Sequence, residues 1–175
     1  MKKIILLSLL TASTLMARKL TVKQGVVHAH TEVFGDSSID PKTSNITSNL
    51  TMNGDIQSIT GSVKIDILKL KSDNSQRDEH MLEALEGANY PSATFTFKKI
   101  DKRANDYAIS GILKFHGVKK ALTIYADITN SKNSLTIKGK SSFLLSNYNV
   151  KPIKMLFLTV RDQIDLKINV TFNKK

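Results

Sequence analysis

From Lys19 onward, apolar residues recur at alternate positions far more often than at helical spacing. A period of two marks strands with one buried and one wetted face. Tyr107, Ile109, Gly111, Leu113 and Phe115 share one face of such a segment, while Ser110, Lys114 and His116 share the other. Leu122, Ile124, Ala126 and Ile128 repeat the pattern, and Leu135, Ile137, Gly139, Ser141, Phe143 and Leu145 follow it. The last segment sets Ile164, Leu166, Ile168, Val170 and Phe172 against Asp165, Lys167, Asn169 and Thr171. Segments 19–30, 45–52, 59–70 and 93–100 bring the total to about eight strands, the number that closes an antiparallel barrel able to hold one small ligand. The polar stretch 36–45 reads as a loop.

One segment has the other period. Ser75 and Asp78 form an S-x-x-D start signal, Met81, Leu82 and Leu85 make an apolar stripe, Gly87 offers a left-handed stop, and Pro91 forbids continuation. The pattern predicts one short helix over an end of the barrel. No repeat and no linker rich in Pro, Gly or Ser divides the chain, so residues 18–175 are expected to form one domain.

The opening residues add a destination. Met1-Lys2-Lys3, the apolar run Ile4 to Leu10, and the approach to Leu15-Met16-Ala17 read as a secretory signal peptide over 1–17. The run is too short to cross a bilayer, and no later stretch of about 18 apolar residues replaces it. The expected product is a periplasmic or secreted domain beginning at Arg18.

Cysteine is absent, which excludes a lipid-modified N-terminal cysteine, disulfides, thiol catalysis and Cys-ligated metal. The fold must be held by its core. The formal charge is +11, falling to +9 once Lys2 and Lys3 are removed. Export, the scatter of basic residues and the lack of tryptophan argue against nucleic acid as a partner. A basic surface leaves transient contact with anionic membrane open, and a homodimer stays open beside it.

Candidate chemistry is sparse. Ser72-Asp73-Asn74 spells an element of penicillin-recognising serine enzymes, but no serine has a lysine three residues later and no G-x-S-x-G elbow exists. His28 and His30 share a strand face and could offer two ligands to a metal, yet His80 and His116 are the only other histidines, so no metal site is expected. Asp73, Asp78, Glu79, Glu83 and Glu86 read as solubilising charges on and beside the helix. Arg77-Asp78-Glu79-His80 gathers a cation, two anions and an imidazole in its first turn. Near a barrel mouth, Arg77, Asp78 and His80 could meet a ligand's polar head group; capping and dipole compensation are the competing explanation.

The run Ser75-Gln76-Arg77-Asp78-Glu79-His80-Met81, then Leu85, Tyr90-Pro91 and Phe95, resembles the signature of the YceI-like family. Gly111-Ile112-Leu113-Lys114-Phe115-His116-Gly117-Val118-Lys119-Lys120 resembles its G-x-L-x-x-H-G-V-x-K hairpin. Ser146-Asn147-Tyr148-Asn149-Val150 and Val160-Arg161-Asp162-Gln163-Ile164 resemble pieces of its last third, and the likeness extends from about Gly61 to Asn173. The resemblance implies an exported, lipocalin-like barrel that binds isoprenoid quinones, polyprenyl compounds or related long-chain amphiphiles, with no cofactor and no catalysis. The residues expected to form the cavity wall are Val63, Ile65, Ile67, Phe95, Phe97, Leu113, Ile124 and Phe143, with Met81 and Leu85 closing an end. The rival readings are a filled barrel acting as a binding or inhibitory module and a lipid-modifying enzyme, for which Ser141 is the inward polar residue without an evident partner.

Overall fold

The computed structural model describes residues 16–33, 37–151, 154–155 and 158–175. The proposed signal peptide lies almost wholly outside them. Strand β1 (Arg18–Val33) is followed by the short β2 (Ser37–Ile39), β3 (Lys42–Thr43), β4 (Ile46–Ser48) and β5 (Leu50–Met52), and then by β6 (Gly61–Asp66). After helix α1 (Ser75–Ala84) come β7 (Ser92–Lys102), β8 (Tyr107–Phe115), β9 (Val118–Asn130) and β10 (Ser134–Leu144). A small hairpin, β11 (Lys154–Met155) and β12 (Leu158–Thr159), precedes the final strand β13 (Gln163–Lys174).

Neighbouring strands run β1-β13-β10-β9-β8-β7-β6-β4, all antiparallel. Past Asn49, β5 carries the line of β4 onward and pairs back onto β1, with Arg18 opposite Met52 and Leu20 opposite Leu50. The sheet therefore returns to its first strand. The molecule is an all-β antiparallel barrel with one helix, as the alternation predicts.

Parity along the strands explains the interior. Ile109, Gly111, Leu113 and Phe115 are buried while Lys114 is exposed, and Leu135, Ile137 and Gly139 are buried while Lys138 and Lys140 are exposed. Where two polar residues interrupt the alternation, a bulge restores it. The register of β7 shifts between Phe97 and Lys99, so exposed Lys98 and Lys99 pass before Ile100 returns to the interior. Leu20, Leu50, Ile109 and Leu135 are fully enclosed and Phe172 nearly so, which packs one end of the barrel solid.

Several boundaries differ from the sequence expectation. The supposed loop 36–45 contains β2 and β3, which pair with β1 through Thr31–Ile39 and Val27–Thr43. Strand 45–52 is broken at Asn49, whose amide donates to Ser62 O and whose side-chain oxygen accepts from Ser62 N. Strand 59–70 ends at Asp66, whose carboxylate accepts from Leu68 N at 3.0 Å and turns Ile67–Lys69 into a 3-10 segment.

The ends of α1 differ as well. Asn74, not Ser75, caps the helix, accepting from Arg77 N at 2.9 Å. The left-handed residue at its far end is Glu86 (φ 46°), not Gly87. Gly87 N donates to Leu82 O and Glu86 N to Glu83 O, the paired bonds of a Schellman stop. Gly87 is needed for space, because a Cβ there would lie 3.0 Å from the Leu68 side chain and 3.3 Å from Leu82 O.

His116 corrects the alternation of β8. The strand stops at Phe115, opposite Val118, and His116 (φ 47°) and Gly117 (φ 75°) form a two-residue turn with both angles positive. The turn folds His116 inward, where it is 8% exposed, instead of leaving it on the wet face with Lys114.

Gly111 tests how tightly the inner face is built. A Cβ at this position would stand 2.4 Å from both the Phe95 ring and Thr96 O. Gly111→Ala should therefore destabilise the barrel by about 1–3 kcal/mol in urea unfolding. Unchanged stability would show slack where the packing leaves none.

Candidate functional site

Opposite the packed end, the interior is hollow. Two chambers of about 150 and 100 Å³ adjoin across shared walls contributed by Val27, Ile65, Ala93, Leu113 and Leu166. Among the described residues the deeper one is lined only by apolar side chains, including Val63, Phe95, Phe97 and Ile124. The other, beneath α1, is lined by Ile67, Met81, Leu85 and Phe143 together with Thr31, Arg77 and His80. Every residue read as wall thus lines one chamber or both.

Small residues make this space. Ala29, Thr31 and Ala93 occupy inward positions at the helix end, where Leu20, Leu50 and Phe172 fill the opposite end. Phe115, Phe143 and Tyr148 brace the roof edge to face, with centroids 5.2–5.6 Å apart. Burial pushes the Tyr148 hydroxyl above its ordinary pKa, so it stays neutral.

The polar residues of the first helical turn separate. Arg77 and His80 line the chamber, with Arg77 Nη1 donating to Ser38 O at 3.0 Å. Asp78 does not line it. Its carboxylate is 2% exposed and accepts from Ser72 N at 2.8 Å and Ser72 Oγ at 2.7 Å, with Lys71 Nζ at 4.0 Å. Asp78 therefore ties the helix to the segment before it, which removes it from the head-group candidates. The one hydroxyl among the described chamber-lining side chains, on Thr31, is directed at the backbone oxygens of Arg161 and Gln163.

Alternation could not reveal Ile39 and Pro41, which cover the same chamber from the stretch read as a loop. Val27 and Ala29 were legible in the period of β1. The roof is pinned at its edge, where His116 Nδ1 donates to Tyr148 O at 3.0 Å and the Tyr90 ring lies 4.2 Å from the imidazole. Nε2 of His116 has no hydrogen-bond partner and faces Glu86 Oε1 at 3.4 Å.

His28 and His30 point outward from β1. Among the described residues no group of three His, Asp or Glu side chains is arranged to hold a metal. His30 instead binds Asp40 Oδ1 through Nδ1 at 2.6 Å, with Glu32 Oε1 3.3 Å from Nε2. Ser141 Oγ, the inward hydroxyl, donates to Thr123 O at 2.7 Å. No helix among the described residues is long and apolar enough to cross a membrane.

These features define a class: a closed antiparallel barrel, solid at one end and hollow at the other, with an apolar chamber capped by a helix. The sequence pattern of the YceI-like domain matches residues 18–172, and the chain belongs to that family. It is similar to an Escherichia coli protein called Protein YceI, 35% identical over 97 residues covering 51% of each chain. A UPF0312 protein of Yersinia enterocolitica is 32% identical over 73 residues, 41% of this chain and 38% of that one. The matched stretch thus spans about half of the first relative and 38% of the second.

Among solved structures, Burkholderia cenocepacia BcnA superposes with a TM-score of 0.74 at 16% identity, covering 84% of this chain and 95% of that one. A polyisoprenoid binding domain from Saccharophagus degradans gives 0.67 at 11% identity, over 90% and 99%. The Campylobacter jejuni YCEI protein gives 0.63 at 19% identity, over 100% and 94%. At these identities the likeness is one of fold.

The His30 contacts generate a pH dependence. The hydrogen bond to Asp40 holds the His30 pKa above its ordinary 6.5, with Glu32 adding to it against the opposing effect of burial. A raised value means that the stabilisation is fully present below pH 6.5 and is lost as pH rises through the raised value. Amides of Ser38–Asp40 should therefore exchange faster, relative to the chemical rate, above this window than below it. In His30→Gln the extra pH dependence should vanish, and its persistence there would assign it to another group.

Proposed function

We propose that this protein is an exported carrier that holds one long-chain apolar lipid, an isoprenoid or a similar amphiphile, inside the barrel. The observation that carries this reading is the pair of adjoining chambers whose only polar lining side chains among the described residues, Thr31, Arg77 and His80, belong to the chamber under α1. An isoprenoid chain in water is opposed by roughly 25 cal/mol for each Å² of exposed apolar surface. Apolar wall replaces that water with no chemistry required. Arg77 and His80 would meet the head group while the tail runs toward the packed floor. The polyisoprenoid-binding domain among the fold relatives agrees with this ligand class.

A binding role is favoured over a catalytic one because the Thr31 hydroxyl is turned to backbone oxygens and, among the described residues, no carboxylate lines either chamber. The hollow end argues against the filled-barrel module. The charged and apolar opening of the chain supports export, and β1 begins at Arg18, where cleavage after Ala17 would leave it entire.

Mass spectrometry of an organic extract of the purified protein should find a long-chain lipid. Leu113→Asp and Phe143→Asp should lose it, because a carboxylate turned to the chamber gives up hydration that an apolar chain cannot replace. Lys114→Asp, one residue along β8 and exposed, should fold and keep the lipid. Circular dichroism separates loss of ligand from loss of fold, and a folded Leu113→Asp that keeps its lipid would refute the assigned wall. Expressed in a bacterium with its leader intact, the chain should be recovered from the periplasm or medium with Arg18 first. Retention in the cytoplasm at full mass would refute export.

A further inference from the structure

The barrel wall is open along one seam. Strands β9 and β10 pair from Leu135 opposite Asn130 as far as Lys140 opposite Tyr125, and there the ladder stops. Both strands continue, β9 back to Val118 along β8 and β10 on to Leu144 along β13. Two strand edges thus face each other without a backbone ladder. The one side-chain hydrogen bond between them is Ser141 Oγ to Thr123 O at 2.7 Å.

An outer groove of about 700 Å³ lies over this gap. Outward-facing Thr123, Tyr125 and Lys140 contribute to its rim, but Leu122 and Leu166, which have inward parity, also line it. Those same two leucines line the inner chambers, Leu122 the deeper one and Leu166 both. Leu122 stands on the stretch of β9 that has no partner in β10, so a residue that walls the deeper chamber also borders the groove outside, where the wall is one strand thick and unlaced. Tyr125 (51% exposed) and Leu144 (39%) border the seam and are two of the four exposed large hydrophobic side chains among the described residues.

We propose that this seam is the lateral passage through which the lipid chain enters and leaves the barrel, an inference that rests on the carrier reading above. Along the seam itself, separating the two edges breaks no backbone ladder and one side-chain bond, and at its roof end it loads the His116 Nδ1 bond to Tyr148 O that joins the β8–β9 turn to the turn after β10. Opening the helix end is harder. It must release Arg77 from Ser38, Asp78 from Ser72 and the pairing of β2 with β1.

The absence of cysteine makes a clean test possible. In the continued register Ser142 stands opposite Thr123, so Thr123→Cys with Ser142→Cys can be bridged by a short bismaleimide. All-trans-retinol, a fluorescent isoprenoid, is loaded, and its transfer to phosphatidylcholine vesicles is followed by fluorescence. Bridging should slow transfer by about tenfold or more while leaving the bound retinol per protein unchanged. The control bridge, Asp127→Cys with Lys138→Cys, lies across the paired half of the same strands and should leave the rate unaltered. Ser141→Ala should speed transfer by about fivefold, the factor one net hydrogen bond represents.

Equal rates with and without the seam bridge would overturn the passage, as would equal slowing by the control bridge. A protein that takes up no retinol and yields no extractable lipid would remove the carrier reading, and the passage with it. Retained lipid with indifferent kinetics removes the passage alone.

Discussion

Pairing of residues 18–20 with 50–52 converts a curled sheet into a ring, and the interior exists only because of it. Without that closure, residues 18–20 of β1 and 50–52 of β5 would each present an unpaired edge, an invitation to association with other chains. The closing strand is short and broken at Asn49, so it is reinforced from outside the ladder. Ser48 Oγ donates to Leu20 O, and Lys19 and Lys175 exchange backbone bonds of 2.9 Å at the same rim. Once the ring is closed, strand number sets the interior volume, and inward side chains must fill that volume or leave it.

They fill one end of it. Leucine and phenylalanine meet at the closed end, while alanine and threonine stand at inward positions under the helix. An apolar void is not neutral: its lining forfeits dispersion contacts, at about 24 cal/mol per Å³ of cavity. Chambers of about 150 and 100 Å³ therefore set several kcal/mol, as an order of magnitude, against the empty barrel. A chain that fills them returns those contacts, so occupancy and stability rise together. The same argument makes a permanently empty chamber a poor design and a carried ligand a sufficient reason for it.

Alternation made the long strands β8, β10 and β13 readable to within a residue or two, because each has one wet face, but it reached β9 only from Leu122 and missed its first turns of the pleat from Val118. It also put the wall residues on the correct parity. The losses came where the period is too short to register or is reset. Strands β2 and β3 offer two or three residues each, so Ile39 and Pro41 gave no signal although they cover a chamber. His116 followed the parity of β8 on paper, but the turn takes over at that residue and reverses it. Asp78 looked like a charge at a helix start, and only the fold shows Ser72 reaching its carboxylate. Composition cannot distinguish a hollow barrel from a filled one, since that depends on which sizes meet across the lumen.

The helix end also explains why movement should fall elsewhere. Glu86, His116 and Asn149 are the non-glycine residues with positive φ among those described, and each flanks the roof. A left-handed backbone at such a residue costs roughly 1 kcal/mol, so it persists only where the surroundings determine it. Here they do. Glu86 closes the Schellman stop of α1, His116 is clamped between the Tyr148 carbonyl and the Tyr90 ring, and Asn149 ends the 3-10 turn that carries Tyr148. A Cβ at Gly117 would approach the Tyr90 ring to 3.0 Å, which leaves the turn no room to relax. Strain held by this many partners fixes the position of a cap and resists its displacement. Beyond the His116–Tyr148 bond that ends it, the seam between β9 and β10 has no backbone ladder and one side-chain bond, so a rigid roof stands beside a loosely bonded wall.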